Sequence, residues 1–141
     1  MVMIRVLVVD DSIFMRNIIS DMISENNNIE IVGRARNGKE AVELNIELKP
    51  DVITMDVEMP VMNGIEALEV IMRENPLPVI MISSLTHEGA EATLRALSLG
   101  AVDFVTKAGG SISSISTIQE EIIEKCKNKK SAHILMNAFI D

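Results

Sequence analysis

The sequence predicts a doubly wound α/β fold, in which helices cover both faces of one parallel sheet. Short apolar segments alternate with segments of helical period along nearly the whole chain. Several apolar segments lack the in-out alternation of a half-exposed strand, as expected of parallel strands that are buried on both faces. At 141 residues, the chain is long enough for about one such domain.

Five segments are predicted as strands because they are short, apolar and rich in β-branched residues. The first, third and fourth are nearly continuous apolar runs, and the first ends abruptly at Asp10 and Asp11. The predicted strands are Ile4–Val9, Ile29–Gly33, Val52–Met55, Val79–Ile82 and Val102–Val105.

Five further segments carry apolar residues at the spacing of one helix face. The first follows Asp11 and Ser12, and either residue could be its N-cap. The second follows Asn37-Gly38, and the fourth ends at Gly100, a residue type that favours helix C-termini. The predicted helices are residues 13–25, 38–48, 63–74, 88–99 and 112–127.

This alternation is typical of the flavodoxin-like doubly wound fold, whose strand order is 2-1-3-4-5. We predict one domain over residues 1–127 and interpret residues 128–141 as a linker or the stub of a longer protein. The lysine-rich run Lys125–Lys130 is most simply explained as charge that complements the C-terminus of the last helix.

Composition narrows the possible partners. The net charge of −8 opposes binding to nucleic acid or to anionic lipid. Tyr and Trp are absent, so there is no platform for stacking bases. The chain shows no signal-peptide pattern and no apolar run of the roughly 20 residues that cross a membrane, and it has a single cysteine. We expect a cytoplasmic protein that binds proteins, cations or small molecules.

Acidic residues follow two of the predicted strands. Asp10 and Asp11 follow the first strand, and Asp56 follows the third. In the order 2-1-3-4-5, the winding direction reverses between these two strands, and ligands of such sheets bind there. Neighbouring carboxylates repel one another unless a hard cation neutralises them. Because Mg²⁺ favours a few carboxylates with water and phosphate oxygens, we predict a Mg²⁺ or Mn²⁺ site at this edge.

The same edge is expected to carry a hydroxyl and an ammonium group, because Ser83 follows the fourth strand and Lys107 the fifth. Such a set suits phosphoryl transfer, which requires mainly positioning and charge neutralisation. Asp56 would act as nucleophile and form an acyl phosphate. Simpler explanations also exist, since Asp11 could cap a helix, Asp56 could form a turn and Lys107 could be solvated.

Three segments together resemble the signatures of two-component response regulator receivers. These segments are Val8–Ser12, Met55–Gly64 and Phe104–Lys107, and the resemblance covers about residues 3–127. It implies that Asp56 is the phosphoacceptor and that Phe104 occupies the position of an aromatic switch, although plain core packing explains Phe104 equally well. For the metal, the resemblance implies direct contacts from Asp11, Asp56 and the Glu58 carbonyl, and a contact from Asp10 through a bound water. For the phosphoryl group, it implies Asp56, Ser83 and Lys107.

A narrower resemblance is to the regulatory domain of the chemotaxis protein-glutamate methylesterase (CheB). The segments Pro78–Thr86, Ala92–Leu97 and Gly100–Lys107 carry it. It implies that a chemotaxis histidine kinase is the phosphodonor. It also implies an attached esterase domain that acts on chemoreceptors and that is released from inhibition when the receiver is phosphorylated. We expect the esterase half, with its Ser-His-Asp triad, to be absent from this sequence, and we interpret His87 and His133 as surface residues.

Other functions remain open at this stage. The chain could be the receiver of a transcriptional or single-domain regulator, or a metal-dependent phosphohydrolase with an Asp nucleophile. A flavodoxin-like cofactor binder is less compatible with the sequence, because Asp10 and Asp11 would repel a phosphate-bearing ligand.

One position departs from the family pattern. Receivers carry a proline, joined by a cis peptide bond, after the lysine that matches Lys107, whereas this chain has Ala108. A cis bond before a residue other than proline costs roughly 2.5–4 kcal/mol. We therefore predict a trans Lys107–Ala108 peptide and a locally altered loop.

Overall fold

The computed structural model describes residues 3–84, 87–101, 103–107, 120 and 123–127. For residues 83, 84, 87–90, 93 and 103–107 it describes the backbone alone. The strands are β1 (Ile4–Val9), β2 (Ile29–Ala35), β3 (Val52–Asp56), β4 (Val79–Ser84) and β5 (Asp103–Lys107). The helices between them are α1 (Ile13–Ser24), α2 (Gly38–Leu48), α3 (Gly64–Glu74) and α4 (His87–Ser98).

The strands form one parallel sheet. The predicted order is confirmed for β2-β1-β3-β4, and β5 pairs in parallel with β4 at the edge of the sheet. Strand β4 continues to Ser84, so Ser83 lies within the strand and not after it, because pairing with β5 persists as far as Lys107. Of the predicted fifth helix, residues 120 and 123–127 are helical, and the rest lies outside the described residues, as does the predicted linker at 128–141.

The central strands are buried on both faces, as their continuous apolar runs predicted. Along β1, Leu7 packs into the cluster beneath α2, α3 and α4, whereas Val6 packs into the cluster beneath α1. Strand β3 divides in the same way, with Ile53 on the first face and Val52 on the second. Successive side chains of a strand point to opposite faces, so the apolar residues of these strands are divided between two cores.

Side-chain caps fix where the helices begin. Ser12 is the N-cap of α1, since its Oγ accepts a hydrogen bond of 3.2 Å from the backbone N–H of Met15. The interpretation of Asp11 as the cap is therefore wrong, and Asp11 is free for another role. The N-caps of α2 and α3 are Asn37 and Asn63, which accept the N3 backbone N–H groups in the same manner.

No helix in the described part of the chain is both long enough and apolar enough to span a bilayer.

The buried cysteine allows a test of the core. Cys126 packs in the cluster beneath α1, and burial raises the pKa of its thiol to about 12. At pH 8 we expect a chromogenic disulfide reagent to label the native protein at least about a hundredfold more slowly than the unfolded chain, because the thiolate must first be exposed. The labelling rate should rise with urea in parallel with the loss of the circular dichroism signal. Because the chain has one cysteine, Cys126→Ala gives the background, and rapid stoichiometric labelling of fully folded protein would contradict this packing.

Candidate functional site

Three acids that lie far apart in the sequence meet at the carboxyl edge of the central strands. Strands β1 and β3 are paired neighbours, with Val9 opposite Met55. Asp10, which directly follows β1, therefore lies beside Asp56, the last residue of β3. Carboxylate oxygens of Asp10, Asp11 and Asp56 all lie within 4.8 Å of one another. The topology thus places the three predicted acids in one group.

Burial makes this group electrostatically unfavourable by itself. Asp10 is 0% exposed and Asp56 is 6% exposed, whereas Asp11 is open to solvent. Two unit charges at such a separation repel by roughly 1 kcal/mol at the dielectric constant of water and by roughly 3 kcal/mol at an effective value of 20. The donors are all hard carboxylate oxygens with one open side, and such a set fits Mg²⁺, which binds one or two carboxylates and keeps several waters.

Backbone hydrogen bonds fix the position of Asp10. Its Oδ1 accepts a hydrogen bond of 3.0 Å from the N–H of Ser12, and its own N–H donates to the Ala35 carbonyl at 3.0 Å. The guanidinium of Arg16 donates to the Asp10 carbonyl at 2.7 Å, which brings a positive charge close to the acids. Arg16 was not among the predicted site residues, although an arginine soon after two acids was a visible signal in the sequence.

The loop between β3 and α3 folds tightly behind Asp56. The N–H of Gly64 donates to the Val57 carbonyl at 2.8 Å, which closes the loop at its base. A Cβ atom on Gly64 would collide with the backbone carbonyl of Asp56. Only glycine therefore allows α3 to begin so close to the acid. Glu58, whose carbonyl is a metal ligand according to the resemblance, lies within this loop and is exposed.

The tip of the same loop is strained. Val61 has a φ of +69°, and the N–H of Met62 donates to the Pro60 carbonyl at 2.7 Å. This is the rarer form of the γ-turn, in which the central residue has a positive φ. A β-branched residue in that region is an outlier, and such strain costs of order 1–3 kcal/mol. The Val61 side chain is 78% exposed, so packing does not explain its presence.

The remaining predicted residues are placed by their backbones only. Ile82 is the register partner of Asp56, so Ser83 follows directly on the neighbouring strand, and Lys107 lies opposite Ser84 on the next strand. Their side chains, and that of Phe104, are outside the described part of the structure. The Lys107–Ala108 peptide and His133 also fall outside the described residues, and His87 is described only as the first backbone position of α4.

Comparison with known proteins identifies similar sequences. Residues 6–119 match the family described as the response regulator receiver domain. The protein-glutamate methylesterase/protein-glutamine glutaminase of Geobacillus kaustophilus is 54% identical over 132 residues, an alignment that covers 93% of this chain and 38% of that protein. The chain thus spans well under half of the length of the methylesterases that it matches.

Two solved structures are similar in fold and sequence. The response regulator domain of Thermotoga maritima CheB superposes with a TM-score of 0.83 at 55% identity, covering 92% of this chain and 97% of that one. A chain of the CheX-CheY-BeF3-Mg²⁺ complex from Borrelia burgdorferi gives a TM-score of 0.73 at 26% identity and covers 99% and 92% of the two chains.

The repulsion among the acids predicts a specific pattern of stability. In chelator, we expect Asp11→Asn to raise the free energy of unfolding by about 1 kcal/mol, because one of three crowded charges is removed. Added Mg²⁺ should stabilise the wild-type protein but have much less effect on the variant, as seen in thermal denaturation curves. The matched control is Asp21→Asn, an exposed acid on α1 with the same charge change. Equal shifts for both variants in chelator would contradict the inferred repulsion.

Proposed function

Because the chain belongs to the response regulator receiver family, we propose that it is a switch in which Asp56 accepts a phosphoryl group beside a divalent cation. The observation that carries this proposal is the convergence of Asp10, Asp11 and Asp56 within 4.8 Å at the carboxyl edge of the sheet. Electrostatic repulsion among three carboxylates lowers the stability of the fold, so a purely structural role does not explain the arrangement. Phosphoryl transfer, in contrast, requires such a concentrated set of oxygen ligands.

The proposed cation is Mg²⁺ or Mn²⁺. Asp11, Asp56 and the backbone carbonyl of Glu58 would hold it directly, and Asp10 would hold it through a water molecule. When bound, the cation neutralises the acids and the charge of the incoming phosphoryl oxygens. The similar chain from Borrelia burgdorferi, 26% identical to this one, belongs to a CheX-CheY complex that contains BeF3 and Mg²⁺, which supports the assignment.

The chain's own residues would perform the transfer. A carboxylate oxygen of Asp56 forms a bond to phosphorus while the bond from phosphorus to the donor breaks, and the leaving group departs with the electron pair. The product is an acyl phosphate on Asp56, which water later hydrolyses. Ser83 and Lys107 would each contact a phosphoryl oxygen. This role is supported by the strand register, since their backbones lie on the two strands beyond Asp56.

We further propose that residues 1–127 are the receiver of a chemotaxis methylesterase and that residues 128–141 lead to its effector domain. A histidine kinase would supply the phosphoryl group, and phosphorylation would release an esterase domain that acts on chemoreceptors. The 55% identity to the receiver of Thermotoga maritima CheB supports this parent over a transcriptional regulator. By itself, the chain would catalyse only its own phosphorylation and dephosphorylation.

The phosphoacceptor is tested by intact-mass measurement. After incubation with acetyl phosphate and Mg²⁺, we expect one phosphate adduct on the wild-type chain and none on Asp56→Asn, because the nucleophilic oxygen is lost. Asp21→Asn should form the adduct as the wild type does, since its side chain is exposed away from the site. An undiminished adduct on Asp56→Asn would refute the assignment. Continuous release of phosphate from a phosphomonoester would indicate a phosphohydrolase instead.

The coding sequence downstream of Asp141 tests the proposed parent. We expect an esterase domain with a Ser-His-Asp triad, because the aligned relatives continue well beyond the matched region. A winged-helix domain would favour a transcriptional regulator, and a stop codon would favour a single-domain receiver.

A further inference from the structure

We propose that the turn between β2 and α2, residues 35–38, is a positioning element that sets the separation between the Asp10–Asp11 pair and the loop after Asp56. The inference rests on the proposed function and assigns a role to residues that none of the site motifs contains. Gly38 is the central positioning residue, and it acts through its contact with the Met62 carbonyl in the loop after Asp56.

One end of the turn holds the acid pair. The Ala35 carbonyl accepts the backbone N–H of Asp10 at 3.0 Å, and Ala35 is fully buried at the end of β2. Val9, the residue before Asp10, pairs in register with Ala35. This hydrogen bond therefore ties the position of the Asp10 backbone to the last residue of β2.

The other end of the turn holds the loop after Asp56. Gly38 is the first residue of α2, and its N–H has no acceptor within the helix. It donates instead to the Met62 carbonyl at 2.8 Å. A Cβ atom on Gly38 would lie 2.5 Å from that oxygen and 2.9 Å from the Asn63 carbonyl. The third obstacle, Met62 Cγ at 2.9 Å, belongs to a side chain, but the two oxygens are backbone atoms. The contact therefore requires glycine for close approach and not for a special φ.

Hydrogen bonds within residues 36–40 support the conformation of the turn. Asn37 Oδ1 accepts the Glu40 N–H at 2.9 Å, and the two Glu40 carboxylate oxygens accept the backbone N–H of Arg36 at 3.0 Å and its Nε at 2.9 Å. The backbone hydrogen bond from Arg36 contributes most to lowering the pKa of Glu40, so the carboxylate is ionised at neutral pH. Three hydrogen bonds within residues 36–40 therefore fix the spacing of Ala35 and Gly38.

The loop on the far side has little capacity to absorb a displacement. It is closed at its base by the bond from Gly64 to Val57, and its tip is the strained γ-turn at Val61. A shift of Met62 would therefore be transmitted towards Glu58, displace Asn63 at the start of α3, or break one of these contacts. Losing a contact that orients a metal ligand typically costs about 10- to 100-fold in metal affinity or activity.

The decisive comparison uses two glycine-to-alanine variants of the full chain, Gly38→Ala and Gly33→Ala. A Cβ atom on Gly33 also meets its nearest neighbour at 2.5 Å, but that neighbour is Leu48 Cδ1, the far end of a flexible side chain. Gly33 lies within β2, on the same strand–helix unit as Gly38. The two variants thus add the same atom at the same distance, and only Gly38→Ala presses on the loop after Asp56.

Two quantities are measured at a temperature at which circular dichroism shows each variant folded. These are the Mn²⁺ affinity, from electron paramagnetic resonance, and the rate of adduct formation with acetyl phosphate at saturating metal. We expect Gly38→Ala to bind Mn²⁺ about 10- to 100-fold more weakly and to form the adduct more slowly. Gly33→Ala should stay within about twofold of wild type in both, even if it is less stable.

A second pair of variants decides the question if Gly38→Ala does not fold. Glu40→Ala removes both hydrogen bonds to Arg36, and Glu43→Ala makes the same change on the exposed side of α2. The measurement is made at physiological ionic strength, where exposed charges are screened beyond about 8 Å. We expect Glu40→Ala to weaken Mn²⁺ binding by about two- to thirtyfold and Glu43→Ala to leave it unchanged.

The outcomes separate this inference from the proposed function. If the wild-type chain neither binds Mn²⁺ nor forms the adduct, the proposed function is wrong. If the wild type does both and Gly38→Ala has the same Mn²⁺ affinity and adduct rate as Gly33→Ala, the positioning role is wrong and the proposed function stands. Where Gly38→Ala does not fold, equal Mn²⁺ affinities of Glu40→Ala and Glu43→Ala lead to the same conclusion.

Discussion

The mutual repulsion of Asp10, Asp11 and Asp56 is the constraint around which the rest of the structure is arranged. A parallel sheet brings the ends of β1 and β3 together whatever residues stand there, and here three carboxylates occupy that place. Two of them are buried, so solvent screens their charges only weakly. The surrounding framework holds them in place against this repulsion, with the Arg16 guanidinium close by.

That framework consists mainly of backbone groups. Asp10 is bound through its amide, its carbonyl and one carboxylate oxygen, and the chain beyond Asp56 is closed by hydrogen bonds between main-chain atoms. Contacts between main-chain atoms do not depend on side-chain rotamers, so they keep the spacing of the acids fixed. The glycines at 38 and 64 permit these contacts because main-chain atoms approach where a side chain would stand.

Local sequence patterns predicted much of this architecture. The continuous apolar runs at Ile4–Val9 and Val52–Met55 indicated buried parallel strands, and strand order then predicted which acids would be neighbours. Long-range detail was not accessible in the same way. Ser12 and Asp11 were equivalent candidates for the cap of α1 until the fold selected Ser12, and β4 extends to Ser84 because β5 lies beside it.

The contacts made by Arg16 and Gly38 illustrate why the rest of the site was missed. Each joins segments that are distant in the sequence or belong to different elements, and neither changes the hydrophobic period of its own helix. The positive φ of Val61 was also hidden, since valine disfavours that conformation and propensity argues against it. Such a residue is recognised only when the closure of the whole loop is known.

The closed loop between Val57 and Gly64 has a consequence for how homologous chains can diverge. Its base and its tip are both tied to fixed points, so inserting or deleting a single residue would break a tie at one end or the other. The Val61 side chain, in contrast, projects away from the protein and touches little of it. A change in the length of this segment would therefore disturb the acid site, whereas a change of the side chain at its outermost position would leave both ties intact.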